Sequence, residues 1–282
     1  MRILITILFL FSYQVQGFIP PITSMFREIF DDRKISDGTE FGFVHRVLTS
    51  SGDMSEVEER VLLDRRGVKF LWKSGTQGSW LSGQLEKRTY NVGTDKKIPS
   101  RSLLFLKYYI ASNAAEFRDA LINERFLKWD QLKQYKDGFE LQGEPQTWDI
   151  KSNYLQQDSI FLALLPSGPS IAVVGYQDSN SRRIVYFDKV SSGLKQLQWV
   201  DPSENLVWIF ESSTLNYKDA LFPKVATLIK EGKEVVQSEL AVIRQLNKRQ
   251  LTEWGSLWQR SSKTLSNSPS GDENLRVLLG YR

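Results

Sequence analysis

Few residues in this chain could do covalent chemistry, and their spacing argues against it. The single histidine, His45, sits between Val44 and Arg46 in a strand-like stretch. A metal site recruits several imidazoles or thiolates at set intervals, and none of those intervals occurs. His45 could act as the base of a Ser-His-Asp relay, but no Gly-x-Ser-x-Gly elbow is there to raise a nucleophile. A lone ring among apolar neighbours is ordinarily just accommodated. Ser192-Gly193-Leu194-Lys195 matches Ser-x-x-Lys. That chemistry needs a helix N-terminus with Ser-Asp-Asn and Lys-Thr-Gly partners, whereas Gly193 reads as a hairpin turn. Gly75, Gly78 and Gly83 lack the lysine and following helix of a phosphate loop. The neighbours Asp31-Asp32 and Glu58-Glu59 face different ways on any regular element; two glycosidase carboxylates could still come from distant positions. With no cysteine, disulfides, thiolate ligands and a cysteine nucleophile are excluded. The expectation is a protein that is not an enzyme and uses no metal and no cofactor.

What remains is apolar surface. The 282 residues include 8 Trp, 10 Tyr and 16 Phe. Such rings dominate ordinary cores and also line ligand cavities. The net charge is only +4, and basic residues interleave with acidic ones, as in Glu56-Val57-Glu58-Glu59-Arg60. A nucleic-acid partner would want a one-signed stripe, so none is expected.

The elements that must position these rings fall into three groups. Ser24 can cap a short helix with Met25, Phe26, Ile29 and Phe30 on one face. A meander follows, with strands over 40–49, 56–64, 68–73 and 80–90; Val68, Phe70 and Trp72 share a face. Leu103, Leu106, Ile110, Ala114, Phe117 and Leu121 then recur at helical spacing, with a joint at Ser112-Asn113 and an extension through Trp129, Leu132 and Tyr135. A second β block runs from Gly138 to Leu246, with turns such as Pro166–Pro169 and Asp201–Asn205. Ile171–Val174, Ile184–Phe187 and Leu206–Phe210 are apolar on both faces and must be covered on both. Residues 259–274 read as a flexible linker, and the apolar Leu275–Tyr281 is expected to dock as an extra strand.

The first seventeen residues have the order of an export signal. Arg2 precedes the apolar run Ile3–Phe11, and Val15-Gln16-Gly17 supplies the cleavage site. Spanning a bilayer takes about 20 apolar residues, more than this run offers. The expected organisation is therefore a signal at 1–17, a single domain at 18–258, and a linker with an apolar tail at 259–282. Export together with the absence of cysteine points to a bacterial periplasm.

The C-terminal half resembles the bacterial lipoprotein-sorting superfamily, the periplasmic Lol-type carrier and its outer-membrane acceptor. The resemblance lies in Arg183–Lys189, a strand ending in Asp188-Lys189, followed by Leu194–Trp199 and Asp201–Phe210. It continues through Leu221-Phe222-Pro223-Lys224-Val225, which opens the final hairpin, and Gly232 to Asn247. It covers about 160–250, with looser agreement over 40–135. The departures are the tail after Gln259, the lack of the cysteine that anchors the acceptor, and no single arginine matching the carrier's functional one. The resemblance implies a mainly β fold, a curved antiparallel sheet forming an incomplete barrel with helices on its concave face as a lid. It also implies an interior that takes an acyl chain, a lipid or a lipoprotein, with transient contact to a membrane or envelope protein. Phe70, Trp72, Trp80, Tyr108, Tyr109 and Phe117 are the candidates to line that cavity. The alternative is a non-catalytic envelope scaffold on the same fold with a filled core.

Overall fold

The structure is a computed structural model that describes residues 17–49, 51–65, 67–75, 79–86, 89–92, 96–99, 104–134, 137, 139–141, 146–147, 159–261 and 277–279. All but the last residue of the expected export signal, and nearly all of the expected linker, lie outside the described residues. The chain opens with β1 (Gly17–Ile19) and α1 (Ile22–Phe30). The first β block comprises β2 (Thr39–Leu48), β3 (Met54–Asp64), β4 (Gly67–Ser74), β5 (Leu81–Glu86), β6 (Thr89–Val92) and β7 (Lys96–Pro99). Helices α2 (Leu104–Ile110), α3 (Ala114–Asn123) and α4 (Trp129–Gln134) follow. The second block comprises β8 (Phe139–Leu141), β9 (Gln146–Thr147), β10 (Ile160–Leu165), β11 (Gly168–Gln177), β12 (Arg182–Asp188), β13 (Leu194–Asp201), β14 (Glu204–Phe210), β15 (Thr214–Tyr217), β16 (Ala220–Pro223), β17 (Val225–Lys230) and β18 (Lys233–Gln245), and α5 (Lys248–Arg260) ends it.

Among the described residues, fourteen strands form one sheet in the order β7-β6-β5-β4-β3-β2-β18-β17-β14-β13-β12-β11-β10-β9. Pairing is antiparallel except where the two-residue β9 meets β10. The two blocks are joined by β2 against β18, which sets His45 opposite Ser238. β7 and β9 are free edges, so the sheet is not closed.

The sheet is mainly hydrophobic on one face, and that face wraps the helices. Val57, Val61, Phe70 and Trp72 from one end, and Ile171, Val173, Val185 and Phe187 from the other, share a single core with α1, α2 and α3. Laid flat, β4 to β10 would span about 40 Å at the usual strand spacing. Helices of seven to ten residues reach only about 10–15 Å. Strands that far apart meet one small helical group only if the sheet curves around it. The expected mainly β architecture, an incomplete barrel with helices in its concavity, is thus what the chain forms.

The opposite face is covered too, as strands apolar on both sides require. Leu62 and Leu71 alternate outward and pack with Leu246, Trp254, Leu257 and Trp258 around α5. Glu40, also buried there, accepts from Arg60 Nε (2.6 Å), Arg244 Nε (2.6 Å) and Trp254 Nε1 (3.1 Å), which clips α5 to the sheet. Further along, Ala163, Leu165, Ala172, Val174, Ile184 and Tyr186 make a third cluster.

Several local expectations need correction. Pro21, not Ser24, precedes the first turn of α1, three residues earlier than expected; a proline suits a helix start because the lost N–H has no partner there anyway. The single return strand over 80–90 is two strands, β5 and β6. The tail docks, with Leu278 and Leu279 buried in the main core, but Val277–Leu279 is helical rather than an added strand. The joint at Ser112-Asn113 does separate two helices, and Asn113 caps α3 by accepting from Glu116 N. Gly175 lets the 125–127 backbone lie directly on β11. A Cβ there would fall 2.0 Å from the Phe126 carbonyl carbon and 2.3 Å from Leu127 N.

Candidate functional site

Five of the six rings expected to line a cavity sit on the inner face, and four of those five are packed core. Phe70 stacks on Trp72 with centroids 5.3 Å apart. Tyr109 packs on Phe43 (5.2 Å) and Phe105 (5.1 Å), and its hydroxyl donates to the Pro223 carbonyl (3.2 Å). Phe117 lies against Phe30 (5.5 Å) and Tyr108 (5.4 Å). Phe105 on α2 meets Trp208 of the sheet at 4.3 Å. Beneath α2 and α3 these rings pack on one another and on the sheet. Trp80 departs from the expectation altogether. It lies on the outer side with α5 and over the Arg60 guanidinium, because Trp72 and its neighbour across the hairpin already occupy the inner side.

One polar group inside the concavity was not foreseen. Strand alternation that places Val57 and Val61 inward also places Glu59 inward. A buried carboxylate is costly unless hydrogen-bonded. Glu59 accepts from Trp72 Nε1 (2.7 Å) and lies 3.1 Å from His45 Nε2, while His45 Nδ1 lies 2.8 Å from Ser238 Oγ. The order Ser–His–Glu is that of an acyl-transfer relay. Ser238, however, is only 1% exposed, and none of these residues reaches the cavity described next. The network ties β2, β3, β4 and β18 together.

A cavity of about 470 Å³ opens at one end of the half-barrel. Its walls come from α1, the turn between β12 and β13, the end of β14 and the β15–β16 hairpin. Ile29, Tyr108, Leu194, Phe210, Leu221 and Pro223 supply apolar surface. Tyr108 is thus the one sequence candidate that lines it. Burial raises the Tyr108 phenol above its ordinary pKa, so it remains a neutral donor. Leu221 at the hairpin and Val190 at the neighbouring turn are exposed, at 58% and 91%. Lys218 and Asp219 both take positive φ (50° and 74°) at the two-residue tip of the hairpin.

The rim is acidic. Glu28, Asp32, Asp188, Glu211 and Asp219 line the cavity against one lysine, Lys195. Lys195 is held by Asp188 (2.6 Å) and donates to the Ser167 carbonyl (3.0 Å). Burial alone would raise the Asp188 carboxyl, but Lys195 and the Ser191 and Val190 N–H groups outweigh it and hold the pKa below its ordinary value. The Lys195 of the Ser-x-x-Lys match therefore lines the cavity, while Gly193 sits in the turn as expected.

Behind the Tyr108 wall lies Arg33, 4% exposed. Its guanidinium is caged by the rings of Phe30 (4.2 Å), Phe222 (4.5 Å) and Tyr108 (4.7 Å). Nη1 donates to the Tyr108 carbonyl, one of the last carbonyls of α2, but Nε and Nη2 have no hydrogen-bond partner among the described residues. Desolvation lowers its pKa to about 10. In sequence Arg33 sat in Asp31-Asp32-Arg33-Lys34, which reads as a solvated charge run, so nothing singled it out.

Among the described residues, no group of three His, Asp or Glu could hold a metal ion, and no helix is long and apolar enough to cross a membrane. No protein-family model and no curated protein matches the chain. Among solved structures, it is similar to an outer membrane lipoprotein-sorting protein domain from Vibrio parahaemolyticus, with 7% identity over 84% of this chain and 97% of that one, at a TM-score of 0.44. A LolA superfamily protein from Nitrosomonas europaea shares 8% identity over 82% and 97%, at 0.45. A DUF1329 family protein from Desulfovibrio piger shares 11% over 80% and 94%, at 0.40. These are likenesses of outline; the open curved sheet stands on its own strand order.

Proposed function

We propose that this chain is an exported, non-catalytic binding protein that holds an acyl chain, alone or on a lipidated partner, in the cavity at the end of its half-barrel. The observation that carries this reading is the 470 Å³ opening with apolar walls from Ile29, Tyr108, Phe210 and Leu221. That volume falls within the roughly 300–1,000 Å³ of small-molecule sites. A chain of about fourteen carbons, at about 0.8 kcal/mol per buried CH₂, would gain on the order of 10 kcal/mol. Association costs several kcal/mol of this, which leaves affinity near the micromolar range. The resemblance of 183–247 to the lipoprotein-sorting superfamily agrees, as does the signal-like order of Arg2, Ile3–Phe11 and Val15–Gly17.

The test is displacement of a fluorescent long-chain alcohol from lipid-stripped protein. Saturable binding that weakens in Leu221→Asp, an exposed position whose change leaves the core alone, supports carriage. The ring packing beneath α2 and α3 favours a second reading, an envelope scaffold without cargo; absence of saturable binding at high micromolar protein decides for it.

A further inference from the structure

We propose that the occupant of this cavity is a cationic amphiphile, an apolar chain joined to one or more positive charges. The inference rests on the cavity reading above and specifies its ligand class. The chain as a whole is basic, with a net charge of +4, yet five of the six charged residues lining the cavity are carboxylates. Their partners do not account for them. Asp188 is matched by Lys195, and Asp219 meets only Lys34 at 3.9 Å with both side chains largely in water. Among the described residues, Glu28, Asp32 and Glu211 have no ion-pair partner. Arg33 does not compensate them from within, because it sits behind Tyr108 and Phe222 and is not part of the cavity wall.

The arrangement has two parts that a single ligand would satisfy. The apolar wall takes a chain, and the rim then faces whatever the chain is attached to. A carboxylate or phosphate head would be placed among like charges, each unfavourable by a similar amount to an exposed ion pair's gain. An ammonium head, or a lysine or arginine next to an acylated residue, would be placed among three unmatched carboxylates. Leu221 and Val190, exposed at the hairpin and turn beside the opening, extend the apolar surface to where such a chain enters.

The experiment compares a long-chain alkyl amine, the alcohol and the carboxylic acid of equal length as competitors of a fluorescent long-chain probe at neutral pH and low salt. An N-acylated lysine peptide is run beside them to distinguish a free amine from an acylated basic peptide as the source of the charge. The amine should compete about tenfold better than the acid, since exposed ion pairs each contribute modestly and three carboxylates are unmatched. High salt should shrink the preference, and Glu28→Gln with Glu211→Gln should shrink the amine-over-acid ratio at low salt. If the acid competes as well as the amine, the charge inference is overturned and carriage survives. If the alcohol, amine and acid all fail to compete, the carriage reading fails first. If the peptide binds and the free amine does not, the cationic class holds and its source is a lipidated peptide.

Discussion

Arg33→Met should make this protein more stable. Among the described residues, no carboxylate pairs with the buried Arg33, and two of its three nitrogens have no hydrogen-bond partner. Burial pulls its pKa down to about 10, which corresponds to about 3 kcal/mol at ~1.4 kcal/mol per tenfold in proton affinity. The folded state holds this proton less tightly than the unfolded chain. The penalty is therefore present in full below about pH 10 and disappears only as pH rises towards the ordinary guanidinium range, so the whole of it applies at neutral pH. Methionine keeps a straight stem among the three rings, and sulfur sits well against aromatics. What is lost is the bond to the Tyr108 carbonyl, which closes the end of α2, at about 1–2 kcal/mol. The net expectation is a gain of about 1–2 kcal/mol. For a chain of this size that raises Tm by roughly 2–8 °C. Arg33→Lys, with a more strongly hydrated charge and no flat face to stack, should lower Tm. Calorimetry of the three proteins at pH 7 is the assay. A lower Tm for Arg33→Met than for the parent would refute the reasoning and show that the ring and carbonyl contacts outweigh desolvation.

Three further outcomes follow from named contacts. Gly175→Ala forces a Cβ to 2.0 Å from the Phe126 carbonyl carbon, and because backbone must move, the loss should reach or exceed the upper end of the ~1–3 kcal/mol seen for overpacking, read as a shift in denaturant midpoint. Glu59→Leu strips His45 and Trp72 of their shared acceptor and should cost about 3 kcal/mol, whereas Ser238→Ala, which leaves that acceptor in place, should cost about 1 kcal/mol in the same measurement. The Asp188 carboxyl lies below its ordinary pKa of 3.8 in the fold, so its contribution is present above that pH and is lost as the pH falls through the folded value; protection of the 188–195 amides, taken relative to the intrinsic exchange rate at each pH, should fall on acidification, and Asp188→Asn should remove that dependence.

The strands were legible because alternation writes itself into sequence: Val68, Phe70 and Trp72 did share the inner face. The two-sided apolar runs likewise implied cover on both faces. α5 was missed although its signals are present. Asn247 and Gln250 form a capping box, and Leu251, Trp254, Leu257 and Trp258 recur at helical spacing; the Ser-rich stretch beyond drew the boundary too early. The β15–β16 hairpin was missed because its tip is Lys218-Asp219, which carries no Gly or Asn to announce a positive-φ turn. The site was only partly readable. Tyr108 was found through its place on α2, but the rest of the cavity wall gathers from the ends of separate elements, at Ile29, Leu194, Phe210 and Leu221. Sequence distance hides such convergence. Glu59 and Arg33 were hidden for a different reason: each lies in a charged run, and burial of one member depends on partners from elsewhere in the chain.

The central claim is that an acyl chain enters the cavity between α1 and the β15–β16 hairpin. A long-chain alcohol bearing a photoreactive diazirine, crosslinked to lipid-stripped protein and mapped by mass spectrometry, tests it most directly. The account predicts labelling at Ile29, Tyr108, Phe210 or Leu221, competed away by unlabelled alcohol. Labelling confined to the outer face around Trp254 and Trp258, or labelling that no competitor reduces, would contradict it.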